Sequence, residues 1–437
     1  MRQYNVKSYK ELLESLKKAS VEIGAIINIE SDITVADAIE IKEYNNLKIT
    51  SQNGSTLIGG LTDCHWEQEG DFLTFKTEFE PRMLIINDSL RDKSSYPENG
   101  FLEYSNTSDL LWRGSRNGGW NRIPTTEELT HVSVNPKDLP ENLDIDNCDI
   151  RVMHEWDEST VAIKDYDSTT GIITTKYPMG HPAGTFGKNQ YQISNTRSGL
   201  KTPGTWCYDR KNKKIYYYPI VGETAQNIKS IIPVSNSIIK VKNCKNITIE
   251  NLKIKFSNSR CGKIAGLRAI NPDGAIQVEQ SENINIDMTE ISFSGGQGIK
   301  FLNSKNISVS NCIITKCAAC GIATYDCENE LISYNEITDI GILDFSAVAI
   351  HAGGKSLLVY VLGGNITEKG QTIVEYNSID NVPYCGITCS GDSHIIRNNK
   401  ISRCMMILGD GGAIYCSRGN KTLIHENYIC DIPEKNA

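Results

Sequence analysis

NITIENLKI (246–254), NISVSNCII (306–314), ELISYNEIT (330–338), TIVEYNSID (372–380), HIIRNNKIS (394–402) and TLIHENYIC (422–430) repeat one pattern. Each is an alternating β-run with an asparagine in the same place: Asn251, Asn311, Asn335, Asn377, Asn399 and Asn427. NINIDMTEI (283–291) fits with Met288 in place of the asparagine. A second strand type alternates with the first: GAIQVEQ (274–280), GIKFLNS (298–304), GIATYDC (321–327), VAIHAGG (348–354), GITCSGD (386–392) and GAIYCSR (412–418). Self-similarity at a fixed period is the signature of a stacked repeat. The units recur roughly every 22 to 28 residues, with longer gaps over 255–270 and 353–371. Two or three short strands per repeat, joined by Asn- and Gly-containing turns, describe one coil of a right-handed parallel β-helix. Stacking sets equivalent residues about 4.8 Å apart. The six asparagines are then expected to form an inward ladder, each amide bonding the next coil's backbone.

The N-terminus suits the same all-β architecture. SYKE (8–11) reads as a capping box, with Ser8 as N-cap and Glu11 reaching back. Tyr9, Leu12, Leu13, Leu16 and Ala19 make one apolar helix face. Such a helix would cover the open first coil and its strand edge. AIINIESDITV (25–35) and LKITSQNGSTLIGG (47–60) follow as the first strands. Between 62 and 230 the repeat vanishes into aromatic strands and turns: FLTFKTEF (72–79), PRMLIIND (81–88), WRGSRNGGWNRIP (112–124) and TWCYDRKNKKIYYYP (205–219). DRKNKK, between two aromatic strands, reads as a hairpin loop. The expected organisation is a cap helix and first coils over 1–61, an inserted antiparallel β-sandwich-like domain over 62–230, and the main β-helix over 231–437.

The charge balance of −8, with both signs interspersed, argues against nucleic acid, which needs a concentrated basic surface. No apolar run approaches the roughly 18 to 20 residues of a membrane span. MRQYNVKSYKELLESLKK (1–18) has no apolar h-region, so no secretion signal is visible and a cytoplasmic location is expected. The sequons at Asn246 and Asn306 then read as ordinary polar turn residues. The fourteen cysteines lack zinc spacing, and several, such as Cys312, Cys317, Cys320 and Cys327, fall inside the repeat. They read as reduced, buried small side chains.

At PGTWCYDRKNKKIYYYP (203–219), MLIINDSLRDKSSYPENG (83–100) and DGGAIY (410–415), the chain resembles the parallel β-helix glycoside hydrolases that carry an inserted strand domain. The resemblance spans nearly the whole chain through short motifs. Such families include β-xylosidases, α-L-fucosidases and xylanases, so the resemblance implies cleavage of glycosidic bonds without fixing the sugar; a plant-type, xylan- or fucose-containing oligo- or polysaccharide is the expected substrate. The resemblance also implies catalytic carboxylates on late, neighbouring coils, of which Asp410 is the position carried over. The coil that the resemblance leads one to expect after HENYICDIP (425–433) is absent from the sequence, and with it the second carboxylate.

Glycoside hydrolysis needs two carboxyl groups, about 5 to 5.5 Å apart for retention and roughly 6.5 to 9.5 Å for inversion. Coils one apart and two apart supply about 4.8 and 9.6 Å. Adjacent coils would favour retention in a longer relative. Within this chain Asp344 precedes its strand as Asp410 does, two coils away, at a spacing that suits inversion. Asp392 lies at the far end of its strand, and Glu426 falls in another sheet. With Ile276, Ile299, Ile322, Ile350, Ile387 and Ile414 pointing in, the alternation sends Lys300, His351 and Tyr415 outward, with Glu279 in a further outward column. These residues and Arg418 are the expected substrate contacts around Asp410. No cofactor and no metal are expected. The segment 351–370 interrupts the coil period and reads either as a groove wall or as packing for the inserted domain. Two other functions fit the same features. A polysaccharide lyase would use Lys300 or Arg418 as its base, and a non-catalytic β-helix would bind glycans without cutting them. Nothing in the sequence speaks to oligomeric state.

Overall fold

The computed structural model describes the chain except residues 21, 113–118, 266–271, 354–369, 392, 418–420 and 435–437, and the side chains of 264 and 265. It divides into two compact units: Met1–Gly60 with Ser235–Ser259 and Pro272–Ala437, and Leu61–Val234 with Arg260–Asn271.

The first unit is a parallel β-helix of three sheets. The first sheet has ten strands, running from Arg2–Val6 to Leu423–His425. The second has nine, from Ile33–Thr34 to Tyr428–Cys430, and the third has eight, from Ile39–Lys42 to Ile414–Ser417. The insertion leaves between consecutive coils without breaking the stack. Ile39–Lys42 pairs directly with Ile239–Lys242, and Asn45–Thr50 with Lys245–Glu250, all in parallel register. The alternation predicted from the sequence holds: Ile276, Ile299, Ile322, Ile350 and Ile387 are fully buried and stack in one column. A column of small residues precedes it. A Cβ on Gly321 would meet the Ala349 carbonyl oxygen at 2.7 Å and Ile337 Cγ2 at 2.8 Å.

The helix Tyr9–Ala19 contacts the first two strands and buries Leu12, Leu16 and Ala19, while Leu13 faces solvent. Ser8 caps it as expected, its hydroxyl accepting from Glu11 N. Glu11 reaches one residue further back than a capping box requires, accepting from Lys7 N at 2.7 Å.

The asparagine ladder exists, but its register corrects the sequence alignment by one residue. Asn251, Met288, Asn311, Tyr334, Tyr376, Asn398 and Glu426 share a corner at which φ is positive. The inward position is the next one, occupied by Cys312, Asn335, Asn377, Asn399 and Asn427 in successive coils. There Asn377 Nδ2 donates to the Ile332 carbonyl and to Asn399 Oδ1, both at 2.9 Å, while its own Oδ1 accepts from Asn335 N at 3.0 Å. Asparagine serves both columns for different reasons. It tolerates the left-handed conformation at the corner, and it satisfies buried backbone groups inside. A second ladder runs along the surface, through Asn246, Asn283, Asn306 and Asn329, so the two sequon asparagines are ladder members.

One inward position changes character. The column Leu47, Ile247, Ile284, Ile307 continues as Glu330 and then Thr372. The Glu330 carboxyl is buried, accepts from the Thr324 hydroxyl at 2.8 Å, and has one oxygen without a hydrogen-bond partner among the described residues. Burial pushes its pKa up from 4.5 to about 7.

Cysteines such as Cys312, Cys317, Cys320 and Cys327 are buried and not disulfide-bonded, as read from the sequence. Cys389 and Cys416 depart from that reading. They face each other in register on adjacent strands of the third sheet and are disulfide-bonded.

The second unit is built of antiparallel strands. Asp149–Met153 pairs with Glu158–Asp167 and with Gln190–Ser194, around a core that includes Ile150, Val161 and Ile193. Lys263–Ala265 adds to the edge of Glu158–Asp167, which is why Arg260–Asn271 belongs here although it lies within the β-helix stretch of the sequence. Trp206–Asp209 and Lys214–Tyr217 form the hairpin expected around DRKNKK, with the Asp209 carboxylate accepting from Lys211 N and Asn212 N. No helix among the described residues is long and apolar enough to cross a membrane.

Candidate functional site

The outward row of the third sheet carries most of the predicted site residues. Successive coils align Gln277, Lys300, Ala323, His351, Thr388 and Tyr415. One column further, Glu279 aligns with Leu302 and Tyr325.

Their environments differ sharply. Glu279 forms an ion pair with Lys242 at 3.0 Å and accepts from Gln277 Nε2 at 3.0 Å. The Gln277 hydrogen bond, followed by the Lys242 charge, holds its carboxyl below the usual range. Lys300 is only 7 % exposed. Its ammonium donates to the Pro272 carbonyl at 3.0 Å and lies 5.8 Å from the Tyr325 ring centroid. Burial lowers its pKa, partly offset by the charge of Asp273. His351 is 2 % exposed, with Nδ1 2.9 Å from the Thr388 hydroxyl and its ring 5.1 Å from Tyr325. The open groove expected along this face is therefore closed at Lys300 and His351. Alternation fixes the direction of a side chain but not whether other chain covers it.

At the late end the row opens. Tyr415 is 40 % exposed, and Asp410 is exposed in the turn that enters the strand Ile414–Ser417. Asp410 has φ 51°, and its carbonyl accepts from the Tyr384 hydroxyl at 2.9 Å. The neighbouring glycine explains the motif. A Cβ on Gly411 would lie 2.7 Å from Tyr384 Cε2 and 2.8 Å from Cys385 Sγ, so only glycine lets the turn press against the preceding coil. Asp344 contrasts with Asp410. It is fully buried in the turn before Ile350, with its backbone N–H donating to Ala318 at 2.8 Å.

Arg418 and Asp392 lie outside the described residues, as does most of the 351–370 segment. Glu426 sits at the left-handed corner beyond the strand Leu423–His425, away from this row. Sequence reasoning passed over Tyr325 as a site residue, although it packs between Lys300 and His351. Its aromatic ring in an outward column was the available signal. Among the described residues no three His, Cys, Asp or Glu side chains converge as metal ligands would. An exposed carboxylate can protonate a leaving oxygen or stabilise developing positive charge.

Residues 224–359 match the family model described as "Right handed beta helix region". The fold is a right-handed β-helix. A comparison with curated protein sequences gives no match. Among solved structures, one titled "Glycoside hydrolase" superposes with a TM-score of 0.76 at 14 % identity, covering 99 % of this chain and 88 % of the other. A lacto-N-biosidase from Eubacterium ramulus gives 0.30 at 17 % identity, over 44 % of this chain and 39 % of that one. An exopolygalacturonase from Thermotoga maritima gives 0.30 at 9 % identity, over 98 % and 91 %. At 14 % identity the first of these likenesses is one of fold.

Proposed function

We propose that this β-helix cleaves glycosidic bonds in plant-type oligo- or polysaccharides, xylan- or fucose-containing, at the late end of the third sheet's outer face. The observation that carries the reading is Asp410, an exposed carboxylate held in a left-handed turn by the close approach of Gly411 to the preceding coil. The half-exposed Tyr415 five residues on offers a ring and a hydroxyl to a sugar. Asp410 takes the role of acid or nucleophile, and His351, Lys300 and Glu279 shape the face behind it rather than touch substrate. Asp344, sealed in its turn, reaches a substrate only through rearrangement. The test is incubation with xylo-oligosaccharides and fucosylated oligosaccharides, with products and their anomers read by NMR, for the protein and for Asp410→Asn. Cleavage lost in the variant supports the reading, and absence of any cleaved product from the panel sinks it.

A second reading, β-elimination of a uronate-containing polysaccharide, is favoured by one feature. Lys300, with its pKa lowered by burial, shares Tyr325 with His351, the residue types of a base and an acid, and both would have to be uncovered to reach a substrate. Unsaturated products absorbing in the ultraviolet would identify it.

A further inference from the structure

The inserted unit gathers aromatic rings from four separated stretches of sequence. Trp112 and Trp120 face each other across a short antiparallel bridge, with ring centroids 5.0 Å apart. Trp156 lies 6.3 Å from Trp112 and 4.1 Å from Phe186. His181 joins them, 5.5 Å from Trp120 and 5.6 Å from both Trp156 and Phe186. The rings are only partly buried, and Trp112 is 37 % exposed. Trp156 and Asp157 sit on the tight turn between Asp149–Met153 and Glu158–Asp167, closed by His154 N donating to the Asp157 carbonyl at 2.9 Å.

A polar arrangement stands behind the rings. Asp157 is fully buried, and its Oδ2 lies 2.8 Å from His181 Nε2. Neither carboxylate oxygen has a hydrogen-bond partner beyond that contact with His181, among the described residues. In the neutral imidazole the contact places the proton on Nε2 and leaves Nδ1 an acceptor. His181 Nδ1 is itself buried and without a hydrogen-bond partner among the described residues. An orphaned acceptor amid aromatic rings is costly in the free protein, and a donor supplied by a ligand removes that cost. The complementary ligand has an apolar face for the rings and a hydroxyl at its edge, which describes a pyranose ring. The rings meet edge to face and tilted rather than enclosing a box, and the one carboxylate is engaged by His181. That arrangement does not suit a quaternary ammonium group, which wants open ring faces on several sides.

We propose that Trp112, Trp120, Trp156, Phe186 and His181 form a glycan-binding subsite on the inserted unit. It takes one pyranose residue, with its C–H face on the tryptophan rings and a hydroxyl donating to His181 Nδ1. The choice of a sugar rests on the carbohydrate reading of the protein, whereas the existence of a site rests on the rings and the orphaned acceptor.

The chain has five tryptophans. Trp66 and Trp206 are buried in another core of the unit, so the three remaining ones make intrinsic fluorescence a reporter of this cluster. The experiment titrates xylo-oligosaccharides and fucosylated oligosaccharides into full-length Asp410→Asn protein, so that the probe is not consumed, with and without Trp112→Ala or His181→Gln. The expected result is a saturable fluorescence change, with Kd raised about tenfold or more (~1.4 kcal/mol) in each double variant. Trp112→Ala, at a partly exposed position, is expected to hold the melting temperature within about 2 °C, which separates binding from folding. Absence of a saturable change with every probe overturns the subsite, as does a change indifferent to both substitutions. Binding without cleavage by the unsubstituted protein would leave the subsite standing while the hydrolase reading falls. Cleavage with a KM that Trp112→Ala leaves unchanged would do the reverse.

Discussion

Replacing Glu330 by glutamine is expected to stabilise the β-helix at pH 8 and to leave it unchanged near pH 5. Glu330 occupies a column that earlier coils fill with Leu47, Ile247, Ile284 and Ile307, and the interior favours its protonated form. Its pKa rises from 4.5 to about 7 on folding. A carboxyl whose pKa is raised in the folded state contributes its full stability below about pH 4.5. That contribution erodes as the pH climbs to about 7 and stays lost above it. At ~1.4 kcal/mol per pH unit, the rise makes the ionised form cost about 3 kcal/mol at pH 8. Glutamine stays neutral throughout, so the variant recovers most of that cost at high pH. It recovers little at pH 5, where the native carboxyl is already protonated. The assay is urea denaturation followed by far-ultraviolet circular dichroism, with protein and variant compared at pH 5 and pH 8. Taking the difference between them cancels the titration of every other group. An equal difference at both pH values, or a variant less stable at pH 8, would refute the reasoning.

The ladder gives a second expectation. Asn377→Ala removes an amide that serves the Ile332 carbonyl, Asn399 Oδ1 and Asn335 N, and should cost about 3 kcal/mol in the same denaturation assay. Asp410→Asn should abolish cleavage while shifting stability by less than about 0.5 kcal/mol, because asparagine is at ease at φ 51°. A large loss of stability would show that the aspartate is structural. Gly321→Ala should destabilise by about 2 kcal/mol or more, read as a lowered urea midpoint, since its Cβ would press on the Ala349 carbonyl and on Ile337.

The sequence announced the β-helix because stacked coils must repeat the same inward residues, and Ile276 to Ile414 do so at a visible period. The one-residue error in the ladder had a physical source. Asn311 bends the corner while Asn335 and Asn377 bond inside, and letters alone do not separate the two tasks. At the candidate site, the outward direction of Lys300 and His351 was legible and their burial was not, because alternation sets direction while cover depends on tertiary packing. The tryptophan cluster was invisible for the same reason: Trp112, Trp156 and His181 meet only after the antiparallel strands have paired.

A column of identical isoleucines carries no address: a coil could slip by one step and find the same hydrocarbon neighbours. The ladder column is not uniform in this way. It reads Cys312 first and asparagine from Asn335 onward, so a slipped coil would set an amide opposite a thiol and strand its hydrogen bonds. The change from thiol to amide thus marks the coil at which the run of asparagines begins, a fixed point in an otherwise periodic stack.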